Sequence, residues 1–164
     1  CGVMLDENPQ IPYVDDSKKL SEKKRKEIFE QIMQKNIRYE IETVDVDKID
    51  ELNIFIATYV TMSKIAKKFP IKTDHILIDG NQILKNIDID QTAVIKGDSK
   101  VLGIAIASIV AKVTRDEMMI RYDQMYPMYD FASNKGYGTA KHIEAIKKYG
   151  TCPIHRMSFL KNIL

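Results

Sequence analysis

Two aspartates stand in the same local setting. Residues 75–80, HILIDG, form a short apolar run that ends in Asp79 and then glycine. Residues 92–98, TAVIKGD, form a second such run, ending in Lys96, Gly97 and Asp98. Read as neighbouring strands, the two runs deliver both carboxylates to the carboxyl edge of one sheet, where open α/β sheets bind ligands. Paired hard oxygen donors suit magnesium or manganese. The chemistry open to such a site is phosphodiester hydrolysis with two divalent ions, which activate a water and stabilise the leaving oxygen. Asp98 also has a plainer reading, as the N-cap of the helix that follows it.

Further cations and one ring stand in settings that suit a polyanion. Lys18 and Lys19 open a basic cluster over residues 18–26, which reads either as a solvated helix face or as a phosphate contact. Tyr137 lies between two glycines and close to Lys135, in NKGYG. That pattern fits a ring held out to stack on a sugar or base beside a phosphate-seeking cation; it also fits a tight turn.

The elements that must position these groups follow from periodicity. Residues 101–113 are almost wholly apolar, with small side chains at Gly103, Ala105, Ala107, Ser108 and Ala111. A helix apolar on every side is a buried helix. Lys112, Arg115 and Asp116 end that run; Asp116 reads as structural, and Lys112 as a surface residue or a phosphate contact. Residues 1–6 read as the end of a strand. Ser21 is an N-cap for a helix with Ile28, Phe29, Ile32 and Met33 on one face. Residues 38–46 alternate loosely, as a strand does. Asp47 then caps a long helix with Ile49, Leu52, Ile56, Val60, Ile65 and Phe69 on its core side, stopped by Pro70. Tyr122, Tyr126, Tyr129 and Phe131 read as a satellite core. A last helix over about residues 139–149 ends at Gly150. His155 and Arg156, beyond it, are structural or substrate-facing. The order of elements predicts an α/β fold in one domain.

Composition narrows the class without naming a partner. The 164 residues are 45% hydrophobic and 29% charged, with a formal net charge of +2. Any basic face must therefore come from local clustering. The two cysteines, Cys1 and Cys152, show no metal-binding spacing and fit a reducing cytosol. No apolar run is long enough to span a bilayer. The expectation is a cytoplasmic monomer with no membrane partner.

Several segments together resemble bacterial ribonuclease HII. They are LIDGN at 77–81, KGD at 96–98, IASIVAKVTRD at 106–116, NKGYGT at 134–139 and HRMSF at 155–159. DDSKKLSEKKR at 15–25 and IDELNIFIAT at 49–58 match as well, and the order spans nearly the whole chain. The resemblance implies a ribonuclease-H-like mixed sheet flanked by helices, with a C-terminal helical segment. It implies that Asp79 and Asp98 are metal-binding catalytic residues using Mg2+ or Mn2+. It places Tyr137 against the sugar of the ribonucleotide, with Lys18, Lys19 and Lys135 as nucleic-acid contacts. The implied substrates are RNA–DNA hybrids and duplex DNA with embedded ribonucleotides, an activity that serves DNA repair. The 2′-hydroxyl is what distinguishes such a site from plain DNA.

The sequence departs from that family in one respect. The family opens with a strand bearing DExGRG, whose acidic pair supplies two further metal ligands and whose GRG reads the 2′-hydroxyl. Here Asp6-Glu7 is followed by Asn8-Pro9-Gln10 and stands too close to Asp16 to be that motif. The expectation is that the chain is N-terminally truncated, lacking the first strand and half the acidic site. It should then bind metal weakly and cleave poorly. The alternative is a catalytically inactive nucleic-acid-binding remnant of the same fold.

Overall fold

A computed structural model describes residues 1–7, 9–12, 17–69, 73–161 and 163. Asp15, Asp16 and Pro70, which figure in the motif and helix expectations above, lie outside the described residues. The chain's contacts divide it into two units: Cys1–Thr43 with Thr58–Val113, and Val44–Ala57 with Thr114–Leu164.

In the first unit, strand β1 (Gly2–Met4) pairs antiparallel with β2 (Arg38–Glu40). The strand expected over residues 38–46 is thus cut to three residues, because β1 offers only three residues to pair with. Helix α1 (Glu22–Gln34) starts where its cap predicts: the Ser21 hydroxyl accepts from the Lys24 amide at 3.2 Å. Its Ile28 and Ile32 are completely buried and pack in one cluster with Ile106, Ile109, Val110 and Val113. Those four belong to helix α4 (Leu102–Met125), and none of residues 102–113 is exposed. The apolar run ends at Lys112–Asp116, but the helix does not. The stretch beyond is rich in Met, Glu, Arg and Gln, which favour helix, and it continues to Met125.

Strands β3 (His75–Asp79) and β4 (Asp90–Val94) pair in parallel, with Asp79 opposite Val94. The expected mixture of parallel and antiparallel pairing is present, distributed among the described residues over two two-stranded sheets. The connection between β3 and β4, residues 80–89, is short for a parallel pair. Gln91 holds it in place: its Oε1 accepts from the Leu84 amide at 2.9 Å, and its Nε2 donates to the carbonyls of Leu84 and Ile87. The loop's return to the sheet is therefore fixed by one side chain rooted in β4.

In the second unit, helix α2 (Val46–Leu52) begins after Asp45 rather than at Asp47. Helix α3 (Ile54–Ala66) follows it, with Thr58–Ala66 counted in the first unit, so the single long helix expected from residue 47 is two helices. Asn53 makes the break. It takes a left-handed φ of 68° and its Oδ1 accepts from the Ile56 amide at 3.1 Å, capping the new helix. A break resets the helical phase, and the predicted core face is lost with it. Ile56 and Val60 are 45% and 41% exposed, whereas Ile49 and Ile65 are buried as expected.

The predicted satellite core is real: Tyr129 and Phe131 are buried with Met119, Ile146 and Leu160, and Tyr122 and Tyr126 pack against them. Phe131 opens the short helix α5 (Phe131–Asn134). Helix α6 (Ala140–Tyr149) is capped by Thr139 and closed by Gly150 at φ 79°, as the sequence indicates. The Asp50 carboxylate accepts from the amides of Met157 and Ser158 and from the Ser158 hydroxyl, fastening the last segment. These bonds, the Ser158 hydroxyl first, hold the Asp50 carboxyl below its usual range. Among the described residues no helix is long and apolar enough to cross a membrane.

Candidate active site and nucleic-acid contacts

Asp79 is the last residue of β3 and is exposed at the carboxyl end of the strand pair. Its Oδ1 accepts the Gly97 amide proton at 2.8 Å, so its direction is set by the turn that leaves β4. Two glycines make that approach feasible. Gly80 has a φ of 140°, and a Cβ there would lie 2.7 Å from the Tyr59 hydroxyl. A Cβ on Gly97 would lie 2.6 Å from Ile104 Cδ1 and 3.3 Å from the Asp79 oxygen itself. Both are too close for any residue but glycine without displacement.

Asp98 follows in a single 3-10 turn, Gly97–Ser99, and is 9% exposed. It does not cap α4, because Lys100 and Val101 intervene. The amides of those two residues donate to the Gly97 carbonyl at 3.0 and 2.8 Å. The capping reading of Asp98 therefore fails, and its carboxylate is left for another use. Lys18 Nζ lies 3.8 Å from Asp98 Oδ2, on a lysine side chain that is 80% exposed. An ion pair with one end in water contributes little. What brings Lys18 there is better anchored. The Ser17 and Ser108 hydroxyls are hydrogen-bonded at 2.9 Å, and Arg25 donates to the carbonyls of Ser17 and Leu20. Lys19 is exposed on the same loop. Much of the basic cluster is engaged internally, with Lys24 on Glu27 at 3.3 Å and Lys26 on Glu22 at 3.0 Å.

The structure thus ties Asp79 to the Gly97 amide, with Asp98 the next residue of that turn and Lys18 against Asp98. The donor set fits a hard divalent cation in kind. Magnesium commonly takes one or two carboxylates and keeps its remaining positions for water and phosphate. It is a small set: among the described residues no group of three or more His, Cys, Asp or Glu side chains could hold a metal. Asp6 and Glu7 are exposed just past β1 and join no such group.

Tyr137 and Lys135 come together in the second unit. Lys135 and Gly136 both take positive φ, 51° and 79°. Asn134 builds the turn: its Nδ2 donates to the Tyr129 carbonyl at 2.6 Å and its Oδ1 accepts from the Gly136 amide at 2.8 Å. The Tyr137 amide donates to the Asn134 carbonyl at 2.8 Å, and the ring is left 62% exposed. A Cβ at Gly138 would meet nothing within 4 Å. The Lys135 ammonium folds back on the Ala132 carbonyl. Arg115 Nη2 donates to the Lys135 carbonyl at 3.4 Å. The Arg156 guanidinium stacks on the Phe159 ring at 4.1 Å, and burial, then the charge of Arg115, lower its pKa. Asp116 is buried, at 5% exposure.

Sequence reasoning missed Asn134, His142 and the pairing of His142 with His155. Asn134 carried a signal, since an Asn two residues before a Gly is a common turn former. The histidines carried none: they are 13 positions apart and lie on different elements.

Comparison with known proteins came out one way. A family model described as Ribonuclease HII matches residues 3–162. The ribonuclease HII of Clostridioides difficile is 52% identical over 162 residues, which is 99% of this chain and 63% of that protein. The ribonuclease HII of Endomicrobium trichonymphae is 48% identical over 157 residues, 96% of this chain and 75% of that protein. Among solved structures, the complex of PCNA with RNase HII from Archaeoglobus fulgidus aligns with a TM-score of 0.80 at 24% identity, covering 98% of this chain and 86% of that one. The ribonuclease H2 of Pyrococcus horikoshii aligns with a TM-score of 0.72 at 25% identity, covering 89% of this chain and 76% of that one.

Proposed function

Because this chain belongs to the ribonuclease HII family, we propose that it is built to cut the RNA strand of RNA–DNA hybrids and to cut at ribonucleotides embedded in duplex DNA. The observation that carries this reading is the meeting of Asp79 and Asp98 at Gly97, with Asp79 aimed by a 2.8 Å bond and Asp98 freed from capping. Asp79 and Asp98 are the residues that would hold magnesium or manganese. A bound divalent pair supplies water activation and stabilises the leaving oxygen. The protein's own share is to keep two carboxylates together at a rigid turn and to hold Lys18 against Asp98. Tyr137 offers its exposed ring to the sugar at the cleavage point, and Lys18, Lys19 and Lys135 contact phosphates. The chain acts as a cytoplasmic monomer in this reading.

The polypeptide of these 164 residues is proposed to bind metal weakly and to cleave slowly, because two carboxylates are few for a two-ion site. The test is cleavage of a duplex containing one ribonucleotide, with manganese, by the chain and by Asp98→Asn. Slow cutting 5′ or 3′ to that ribonucleotide, abolished by the substitution, is the expected result. Turnover equal to that of a full-length relative would overturn the claim of weakness. Cutting unaffected by Asp98→Asn would overturn the assignment of the site. Tight duplex binding with no cutting at any metal concentration would favour the second reading, a binding module, for which the Lys18 contact on Asp98 is the supporting observation.

A further inference from the structure

Beneath the Tyr137 turn lies a closed chain of hydrogen bonds through two buried histidines, His142 at 4% and His155 at 8% exposure. The Cys152 amide donates to His155 Nδ1 at 2.9 Å. His155 Nε2 and His142 Nε2 are 3.2 Å apart. His142 Nδ1 is 2.9 Å from the Tyr137 carbonyl.

Only one placement of protons satisfies every contact. A carbonyl can only accept, so His142 carries its proton on Nδ1. An amide can only donate, so His155 Nδ1 is bare and its proton is on Nε2. His155 Nε2 then donates to the bare Nε2 of His142, and both rings are neutral. A proton added to either ring breaks the chain. On His142 Nε2 it faces the N–H of His155. On His155 Nδ1 it faces the N–H of Cys152. The titratable groups packed on the pair are the Cys152 thiol, with Sγ 3.2 Å from His155 Nδ1, and the Tyr129 ring, 4.9 Å from His155. Tyr129 donates its hydroxyl proton to the Gly150 carbonyl at 3.0 Å. The Phe131 ring, 5.3 Å from His142, adds an apolar wall.

We infer that His142 and His155 are positioning residues for Tyr137: the Nε2–H of His155 fixes His142 as the form whose Nδ1–H holds the Tyr137 carbonyl, and so the backbone that carries the ring. The consequence for nucleic acid rests on the reading of Tyr137 given above. The Tyr137 carbonyl also accepts from the Thr139 amide at 2.8 Å, so losing the histidine bond loosens the turn without unfolding it.

The test is NMR on the 15N-labelled chain, with the amides of α1 as internal reference. At about pH 8, long-range nitrogen spectra should show His142 as the Nδ1–H form, the minority form of a free imidazole in water, and His155 as the Nε2–H form. In His155→Leu, which removes the donor to His142 Nε2, the Nδ1–H form of His142 should lose ground and the Tyr137 amide should shift while α1 is unchanged. In His142→Asn, whose amide donates to the Tyr137 carbonyl whatever its neighbour, the Tyr137 amide should stay close to its wild-type position. Affinity for a ribonucleotide-containing duplex in metal-free buffer should fall about fivefold in His155→Leu and about twofold or less in His142→Asn. An Nε2–H form of His142 in wild type, or a Tyr137 amide unmoved in His155→Leu, overturns the inference. A Tyr137 shift in His155→Leu with no matching change in affinity supports the positioning role and overturns the nucleic-acid reading of Tyr137.

Discussion

Asp79 has one observed contact and one proposed role, and one pair of substitutions separates them. Its Oδ1 accepts from Gly97, and its carboxylate is proposed to hold a divalent cation. Asp79→Asn keeps an oxygen for Gly97 and should melt within a few degrees of wild type. Asp79→Ala leaves that amide without its acceptor and should lose about 1 kcal/mol of stability. Both should lose the response of melting temperature to added manganese. A response that persists in Asp79→Asn would remove Asp79 from the metal site. Tyr137 permits a similar separation. Its ring is exposed, so Tyr137→Ala should leave stability nearly unchanged. It should weaken duplex binding by about 1–3 kcal/mol, the usual worth of one stacked base. Equal affinity of the two proteins would return Tyr137 to the role of turn former. At this scale the sequence was informative where a residue type has few uses. Aspartate beside glycine at the end of an apolar run marked Asp79, which precedes Gly80, and Asp98, which follows Gly97. Histidine has too many uses, and nothing near His142 in the chain pointed to His155.

Elements were legible where local chemistry decides them and not where a partner does. Ser21, Thr139 and Gly150 cap helices as their types allow, and the apolar run up to Val113 has no exposed residue within α4. The length of β2 depends on β1, which no local pattern of residues 38–46 reveals. The break at Asn53 was hidden because Ile, Leu and Val on either side keep helical spacing through it. Asn53→Ala removes the Oδ1 cap on Ile56 and puts a Cβ-bearing residue with no polar aid into left-handed backbone. It should cost about 1–2 kcal/mol. A melting temperature equal to wild type would mean that α2 and α3 fuse at little cost. Gly97→Ala is the companion change at the site. It should push Ile104 and the Asp79 carboxylate apart and should weaken manganese binding more than Ser99→Ala on the exposed side of the same turn. Equal metal affinity in the two variants would show that Gly97 is not what aims Asp79.

For the molecule as a whole, acid should be more damaging than base. His155 binds its proton less readily when folded, first because of burial and then because of His142 beside it. Unfolding therefore takes up a proton below the ordinary histidine range. The stability contributed by neutral His155 is complete above about pH 6.5 and is lost as the pH falls through its lower folded value. Melting curves should show this drop in wild type and a smaller one in His142→Asn; parallel curves would contradict it. The α/β fold, the order of its strands and the two aspartates were visible in the chain; the split of one helix at Asn53 was not. The division of contacts into two units was not, since α3 and α4 run across both and no linker marks the boundary. The account depends most on Asp79 and Asp98 sharing a divalent cation. The direct measurement is the broadening of backbone amide signals by manganese, residue by residue. Gly80 and Gly97 should broaden first, and Asp98→Asn should abolish the effect at both. Broadening centred elsewhere, or unchanged at Gly97 in Asp98→Asn, would contradict the account.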